Sequence, residues 1–593
     1  MDAGTPIERP AGLPGPGNAR FGSDVAAETL RALDIPWIAL NPGASYRGLH
    51  DSLVNHLGNE RPTMLLCLHE EHAVAIAHGW AKVTGRAMAV AVHSNVGLMH
   101  ASMAVFNAWC DRAPLLLIGA TGPVDAAKRR PWIDWIHTAA DQGALLRAFV
   151  KWDAQPASAE AAREALLRAA WLAGTAPKGP VYVNLDAGMQ EAPLAEPLPP
   201  LDPARFIPVM DAVVPPPEAL DRAAALLRAA RAPVLLIGRC GRDPADWARR
   251  VALAERLGAR VATDLKLAAA FPTEHPLHLA PPATFVPAAT AAAIAAADVI
   301  LSLDWVDLAG TLKAATGAAA PAGRVIHASL DHLLHNGWSM DHQGLPPVDV
   351  FLACGTDAAV AGLAQRLGVT VSEASAEAPL AVVAGPPAEP GPITVPWMAR
   401  HLRAAIGARP ASLLHVSLSW QAETWPFRHP LDYLGGDGGG GIGSGPGIAV
   451  GAALALRGSG RLPVAVCGDG DFLMGVTALW TAVHYRVPLL IVVANNRSFF
   501  NDELHQERMA RARLRPVENR WIGQRIAEPE IDLAAMATAQ GARGFGPVTD
   551  AAALPAVLGE AIAAVAAGAV AVVDVRVAAG YGPAGAAGGA FRG

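Results

Sequence analysis

The sequence predicts an α/β protein built from three doubly wound parallel-sheet domains. Three observations carry this. Of 593 residues, 52% are apolar and 17% charged, too apolar for disorder and rich enough to bury several cores. Short apolar runs alternate with longer helical patterns, the rhythm of parallel sheets covered by helices on both faces. Two proline-rich stretches, Ala187 to Pro217 and Ser375 to Pro396, read as linkers and leave domains at 1–190, 191–380 and 381–593.

Each element has its own pattern. In the first segment, Ala87 to Val92 and Leu115 to Ile118 read as buried strands, with helical stretches at Ala73 to Val83 and Ala101 to Trp109. In the second, Val234 to Gly238, Val299 to Leu303 and Val325 to His327 are strands between alanine-rich helices. In the third, Val464 to Cys467 and Leu489 to Ala494 bracket a helix from Gly475 to Tyr485. Ligands in such sheets bind beyond the carboxyl ends of the strands.

Composition excludes several classes. A net charge of −6 argues against nucleic-acid binding, which calls for a basic face. The mean hydropathy of +0.27 comes from alanine and glycine rather than from a run long enough to span a membrane. Met1 to Arg20 is rich in Pro and Gly and shows no signal peptide. Five scattered cysteines without Cys-x-x-Cys suit a reducing, cytoplasmic setting, with Cys67, Cys110 and Cys467 expected as buried thiols.

The chemistry gathers at strand ends. The strand Val464 to Cys467 runs into Gly468-Asp469-Gly470, and Leu489 to Ala494 runs into Asn495-Asn496. Alone, either is an ordinary turn. Together they lie at equivalent strand ends joined by one β-α-β unit. Glycines let backbone approach an anion, and Asp469 and Asn496 offer the hard oxygens that Mg²⁺ shares with phosphate. A metal–diphosphate site is expected.

Gly468-Asp469-Gly470, then 24 residues, then Asn495-Asn496 resembles the thiamine diphosphate signature. That signature belongs to the superfamily of acetolactate synthase, benzoylformate decarboxylase, benzaldehyde lyase and pyruvate decarboxylase. The resemblance implies pyrimidine-binding, central and diphosphate-binding domains. It implies that Asp469, the Asn496 side chain and the Ser498 carbonyl bind Mg²⁺. It makes Ile442, in the glycine-rich run from Gly435, the wedge that bends the cofactor, and Gly440 the carbonyl that meets the pyrimidine amino group. Ser417 and Ser419 become diphosphate contacts. Asp471 departs from the Ser or Thr of many members and must point away from phosphate.

The run His69-Glu70, Ala73 and Gly79 to Gly85 resembles the cofactor-activating element of the same superfamily. Glu70 would be the acid on the pyrimidine ring, with Glu71 an exposed neighbour. Histidines three apart, His69 and His72, do not match the zincin spacing of four. His93 lies 23 residues after Glu70, as in benzoylformate decarboxylase, where a histidine handles substrate protons. His100 is expected to be structural. Ser45 and Gln142 are further substrate candidates. The central domain reads as structural, with FAD an open option because some members bind it there.

The resemblance therefore implies a thiamine diphosphate- and Mg²⁺-dependent lyase or transferase. It would cleave or form C–C bonds on a 2-oxo acid or related ketone, by ylide attack and an enamine. Acetolactate synthase proper, a dione- or acyloin-cleaving lyase or hydrolase, and a non-catalytic scaffold are the alternatives. Retention of Glu70, Asp469 and Asn496 speaks against the scaffold. The family also implies a homodimer or homotetramer with Glu70 and Asp469 of one site on different subunits.

Overall fold

The computed structural model describes residues 8–11, 17–208, 213–317, 320–334, 344–371 and 391–580. Residues 375–390 of the second proline-rich stretch, and most of the first 16 residues, lie outside them. There are three sheets among these residues, and every strand pair in them is parallel. The chain divides into two compact units, and each gathers separated segments.

The first unit comprises Met1–Val213, Leu330–Gln343 and Asp437–Ser459. Its strands are β1 (Trp37–Leu40), β2 (Thr63–Leu66), β3 (Met88–Val92), β4 (Leu115–Thr121), β5 (Asp153–Ala154) and β6 (Pro180–Asp186), in the order β2-β1-β3-β4-β6-β5. Every residue of β3, β4 and β6 is buried, as continuous apolar runs covered on both faces require. Leu30, Ile38, Leu116 and Val181 fill one of the layers beside the sheet.

Three helices of this unit position the site: α1 (Glu70–Thr84), α2 (Ser94–Cys110) and α3 (Gly445–Ala455). Helix α1 starts where His69 Nδ1 accepts the Glu71 N–H, and it stops at Gly85 in the left-handed region, φ 66°. Residues 445–454 of α3 are all buried, and α3 crosses α1 at very short range. A Cβ on Gly79 would sit 2.0 Å from the Ile448 carbonyl oxygen, and one on Gly451 would sit 1.8 Å from that of Ile76. Only the absence of side chains permits this approach.

The second unit comprises Val214–Ser329, Gly344–Gly436 and Gly460–Gly593. One sheet holds β7 (Pro233–Ile237), β8 (Arg260–Thr263), β9 (Val299–Leu303), β10 (Arg324–Ala328) and β11 (Val350–Leu352), ordered β11-β10-β9-β7-β8. The other holds β12 (Ala411–His415), β13 (Leu462–Gly468), β14 (Leu489–Asn495), β15 (Arg543–Val548) and β16 (Val570–Arg576), ordered β12-β13-β14-β16-β15. One apolar cluster, including Leu235, Leu301, Met398, Leu413 and Val492, spans both.

The helix expected from Gly475 to Tyr485 is instead two: α4 (Asp469–Gly475), then a second at Ala478–His484. The break falls just after Gly475, where helix propensity is weakest. Helix α5 (Phe500–Ala512) follows β14. No helix among the described residues is long and apolar enough to cross a membrane.

Candidate active site

The candidate residues fall into two clusters, one in each unit. In the first unit, β2 runs through Cys67-Leu68-His69 into α1, which places Glu70 in the first helical turn. Glu70 is buried, and its Oε2 lies 3.1 Å from His100 Nδ1. A Cβ on Gly97 of α2 would come 3.1 Å from the Glu70 side chain, so α2 closes tightly over the carboxyl. His100, expected to be structural, is exposed and contacts the acid. Its ring stacks on His69 at 5.0 Å, and His69 in turn lies 5.3 Å from His72. Burial, with His69 beside it, lowers the pKa of His72 to about 4, so that ring is neutral at physiological pH. Glu71 is half-buried rather than exposed, and it accepts a hydrogen bond from Ser444 at 3.2 Å.

Ser45, His93 and the segment that follows β4 leave the carboxyl ends of three neighbouring strands, β1, β3 and β4. The Ser45 hydroxyl lies 2.9 Å from His93 Nδ1, and the Ser45 backbone N–H donates to the same nitrogen at 3.4 Å. A backbone N–H can only donate, so Nδ1 carries the lone pair and neutral His93 carries its proton on Nε2. Burial lowers the His93 pKa, His137 lowers it further, and Glu70 opposes both. Gly43 makes room for this ring, since a Cβ there would fall 2.2 Å from its Cγ. Gln142 lies elsewhere: it is fully buried, and its amide nitrogen donates to the Tyr182 hydroxyl at 2.8 Å and the Ala120 carbonyl at 3.3 Å. It is a core residue of this fold.

Gly440 and Ile442 belong to the same unit. Asn107 on α2 grips their loop from both sides of its amide. Its nitrogen donates to the Gly441 carbonyl at 3.2 Å and to Ser444 Oγ at 3.1 Å, and its oxygen accepts from Gly439 N–H at 3.2 Å. Gly440 has φ 76° and open space where a Cβ would point. The turn therefore needs glycine for its backbone, not for lack of room. Ile442 is half-buried beside it.

In the second unit, Gly468 pairs with Ala494 across β13 and β14, which sets Asp469 beside the Asn495-Asn496 turn. Asp469 is buried; its Oδ1 accepts from Gly470 N–H at 2.9 Å and its Oδ2 from Ser498 N–H at 3.1 Å. Burial raises its pKa against the pull of those backbone donors. Asn496 Oδ1 also accepts from Ser498 N–H, at 2.8 Å. Asn495 faces the other way, donating to Asp574 at 2.9 Å. Asp469, Asn496 and Ser498 therefore converge on one turn, with Arg497 in the left-handed region at φ 59°. Phe499 packs where a Cβ on Gly470 would be, 2.5 Å from a ring carbon. Ser417 and Ser419 stand at the end of neighbouring β12, their hydroxyls 3.2 Å apart.

Asp471 turns to His415 at the end of β12, with its Oδ2 3.1 Å from Nε2 and both side chains buried. The acid thus has an imidazole partner within the domain. Cys467 lies against the same pair, and burial beside Asp471 pushes its thiol well above the usual range. Cys67 and Cys467 are buried as expected, whereas Cys110 is half-buried.

The chain resembles known proteins along most of its length. Residues 20–145, 220–334 and 416–575 match, in order, the N-terminal TPP binding, central and C-terminal TPP binding domains of the thiamine pyrophosphate enzymes. A benzoylformate decarboxylase from Pseudomonas aeruginosa is 27% identical over 73% of this chain and 79% of its own. Acetolactate synthase 1 of Oryza sativa is 24% identical over 82% and 74%. Among solved structures, the 4-hydroxybenzoylformate decarboxylase of Rhodococcus jostii aligns with a TM-score of 0.72 at 23% identity, over 95% of this chain and 99% of that one. Benzoylformate decarboxylase from Polynucleobacter necessarius gives 0.73 at 21%, over 95% and 100%. With all three domains matched in sequence and a parallel-sheet fold shared along nearly the whole chain, this protein belongs to the thiamine pyrophosphate enzyme family.

Proposed function

We propose that the protein is a thiamine diphosphate- and Mg²⁺-dependent decarboxylase of 2-oxo acids, able to join the resulting acyl unit to a second carbonyl. The observation that carries this is the buried aspartate–asparagine turn at the ends of β13 and β14, in a chain whose other unit carries a buried glutamate at the start of α1.

The residues fit the groups they would hold. Asp469, Asn496 and the Ser498 backbone supply the hard oxygens that suit Mg²⁺. Gly468 and Gly440 both face open space, so their backbone is approachable. Once bound, thiamine diphosphate supplies the carbon nucleophile and the electron sink for breaking the bond to the carboxyl group. Glu70, enclosed beneath α2, would be the acid that meets the pyrimidine ring. His93 holds a proton on Nε2 for the substrate, and Ser45 fixes that tautomer. Asp471, beside His415, has its carboxyl turned into the domain.

For the central sheet we propose a structural role. The glycine turn after β7 is filled by protein, since a Cβ on Gly238 would lie 2.1 Å from the Asp304 carbonyl oxygen. The purified protein should then show no flavin band in its absorbance spectrum, and a flavin band would overturn this role. A homo-oligomer of at least two chains rests on the family resemblance, and sedimentation velocity reads it directly. A cytoplasmic location rests on five free cysteines.

The deciding experiment presents pyruvate, benzoylformate, branched 2-oxo acids and diones to the protein with thiamine diphosphate and Mg²⁺, measuring CO₂ and acyloin together. CO₂ release from a 2-oxo acid is expected, and cleavage of diones alone would replace this reading. Asp469→Ala should weaken Mg²⁺-dependent cofactor binding; unchanged affinity would remove the metal assignment.

A further inference from the structure

His137 had no distinguishing pattern in the sequence, standing alone between Ile136 and Thr138. In the fold its ring lies 4.6 Å from that of His93, tilted by 58°. The two come from adjacent strands, His93 from the end of β3 and His137 from the segment after β4.

That segment is held firmly. Asp134 is buried and accepts from the Arg130 backbone N–H at 2.6 Å and from its guanidinium at 2.9 Å. Asn95, two residues past His93, donates to the Ile136 carbonyl at 3.3 Å. Gly122 lets Thr138 and Asp134 pack against the strand end, since a Cβ there would meet Thr138 Oγ1 at 2.6 Å. The ring position is thus set by its supports, as a working site requires. His137 Nδ1 is buried and has no hydrogen-bond partner among the described residues. A buried polar atom left unmatched calls for an explanation, and a polar group of a bound molecule is one.

We propose that His137 is a substrate-binding residue, forming with His93 and Ser45 a two-imidazole site that receives the polar end of a 2-oxo acid. This rests on the reading of His93 as a substrate residue. The cations nearest in sequence are already engaged, Arg47 with Glu191 at 2.6 Å and Arg130 with Asp134 at 2.9 Å. The carboxylate would therefore meet the Ser45 hydroxyl and the two rings. Such donors hold it in place while lacking the bidentate grip of a guanidinium, which favours departure as neutral CO₂.

The test uses the holoenzyme and the 2-oxo acid it turns over, with the matching 2-hydroxy acid, lactate or mandelate, as a binding probe. His137→Phe keeps a ring and removes both nitrogens. The expected result is a rise of about tenfold in KM and in the probe's Kd, one hydrogen bond's worth, with thiamine diphosphate affinity unchanged. His137→Asn, which keeps a polar donor, should recover part of the loss, and it decides the matter if the Phe variant does not fold. Unchanged KM and probe affinity in His137→Phe, while His93→Phe impairs both, would overturn this proposal alone. Unchanged values in His93→Phe as well would overturn the substrate role of His93 itself.

Discussion

The hydroxyl of Ser498 donates to the carboxylate of Glu503 over 2.6 Å, and that carboxylate is 1% exposed. Arg525 reaches the same oxygen, Oε1, at 3.2 Å, and Arg520 approaches Oε2 at 3.4 Å. The first turn of α5 thus clamps the turn that carries Asn496 and Ser498. No sequence pattern marks Glu503, which stands five residues past Ser498 within a charged, helical run. Glu503→Gln should weaken Mg²⁺ affinity about 10–100-fold, as loss of an outer-shell partner does. Tryptophan fluorescence during a Mg²⁺ titration with thiamine diphosphate present reads this, and an unshifted midpoint counts against the clamp.

Glu70→Gln keeps the size of the side chain and removes the exchangeable acid. Cofactor binding should survive, while turnover falls about 10²–10⁴-fold, the usual worth of a positioned acid or base. Full activity in this variant would sink the activation role.

The crossing of α1 and α3 leaves no space at Gly451. Its Cβ would strike the Ile76 carbonyl oxygen, a backbone atom that no rotamer change can move aside. Gly451→Ala should therefore cost about 1–3 kcal/mol or more. Thermal unfolding measures it. A melting temperature equal to that of the parent would mean that the helices part readily.

Two histidines tie stability to pH. Burial, with a neighbouring histidine in each case, lowers both His72 and His278 from the usual 6.5 to about 4. Below pH 6.5 the unfolded chain takes up protons that the folded one refuses, so stability is complete above that pH and falls towards pH 4. Each shift corresponds to at most about 3 kcal/mol. The urea midpoint should drop between pH 7 and pH 4.5, and the pair His72→Asn and His278→Asn should flatten that slope. Equal midpoints at both pH values in the parent would contradict the burial argument.

Much of this protein was legible from pattern alone. Strands such as Leu115–Thr121 and Leu489–Asn495 are continuous apolar runs, and the three parallel sheets follow from their alternation with helices. Asp469 and Asn496 were readable because their spacing is a local consequence of one β-α-β unit. Glu70 stands out in the sequence because a short motif surrounds it.

Tertiary structure decided what depends on neighbouring strands and helices. His137 joins His93 because β3 and β4 are adjacent, although 43 residues of chain lie between the two rings. His100 reaches Glu70 because α2 packs over α1, and Gln142 is withdrawn into the core by Tyr182 and Ala120. Asp471 finds His415 across the β12–β13 edge. Periodicity and spacing describe a residue's own element, whereas an acid's partner or a ring's neighbour is set by which elements pack together.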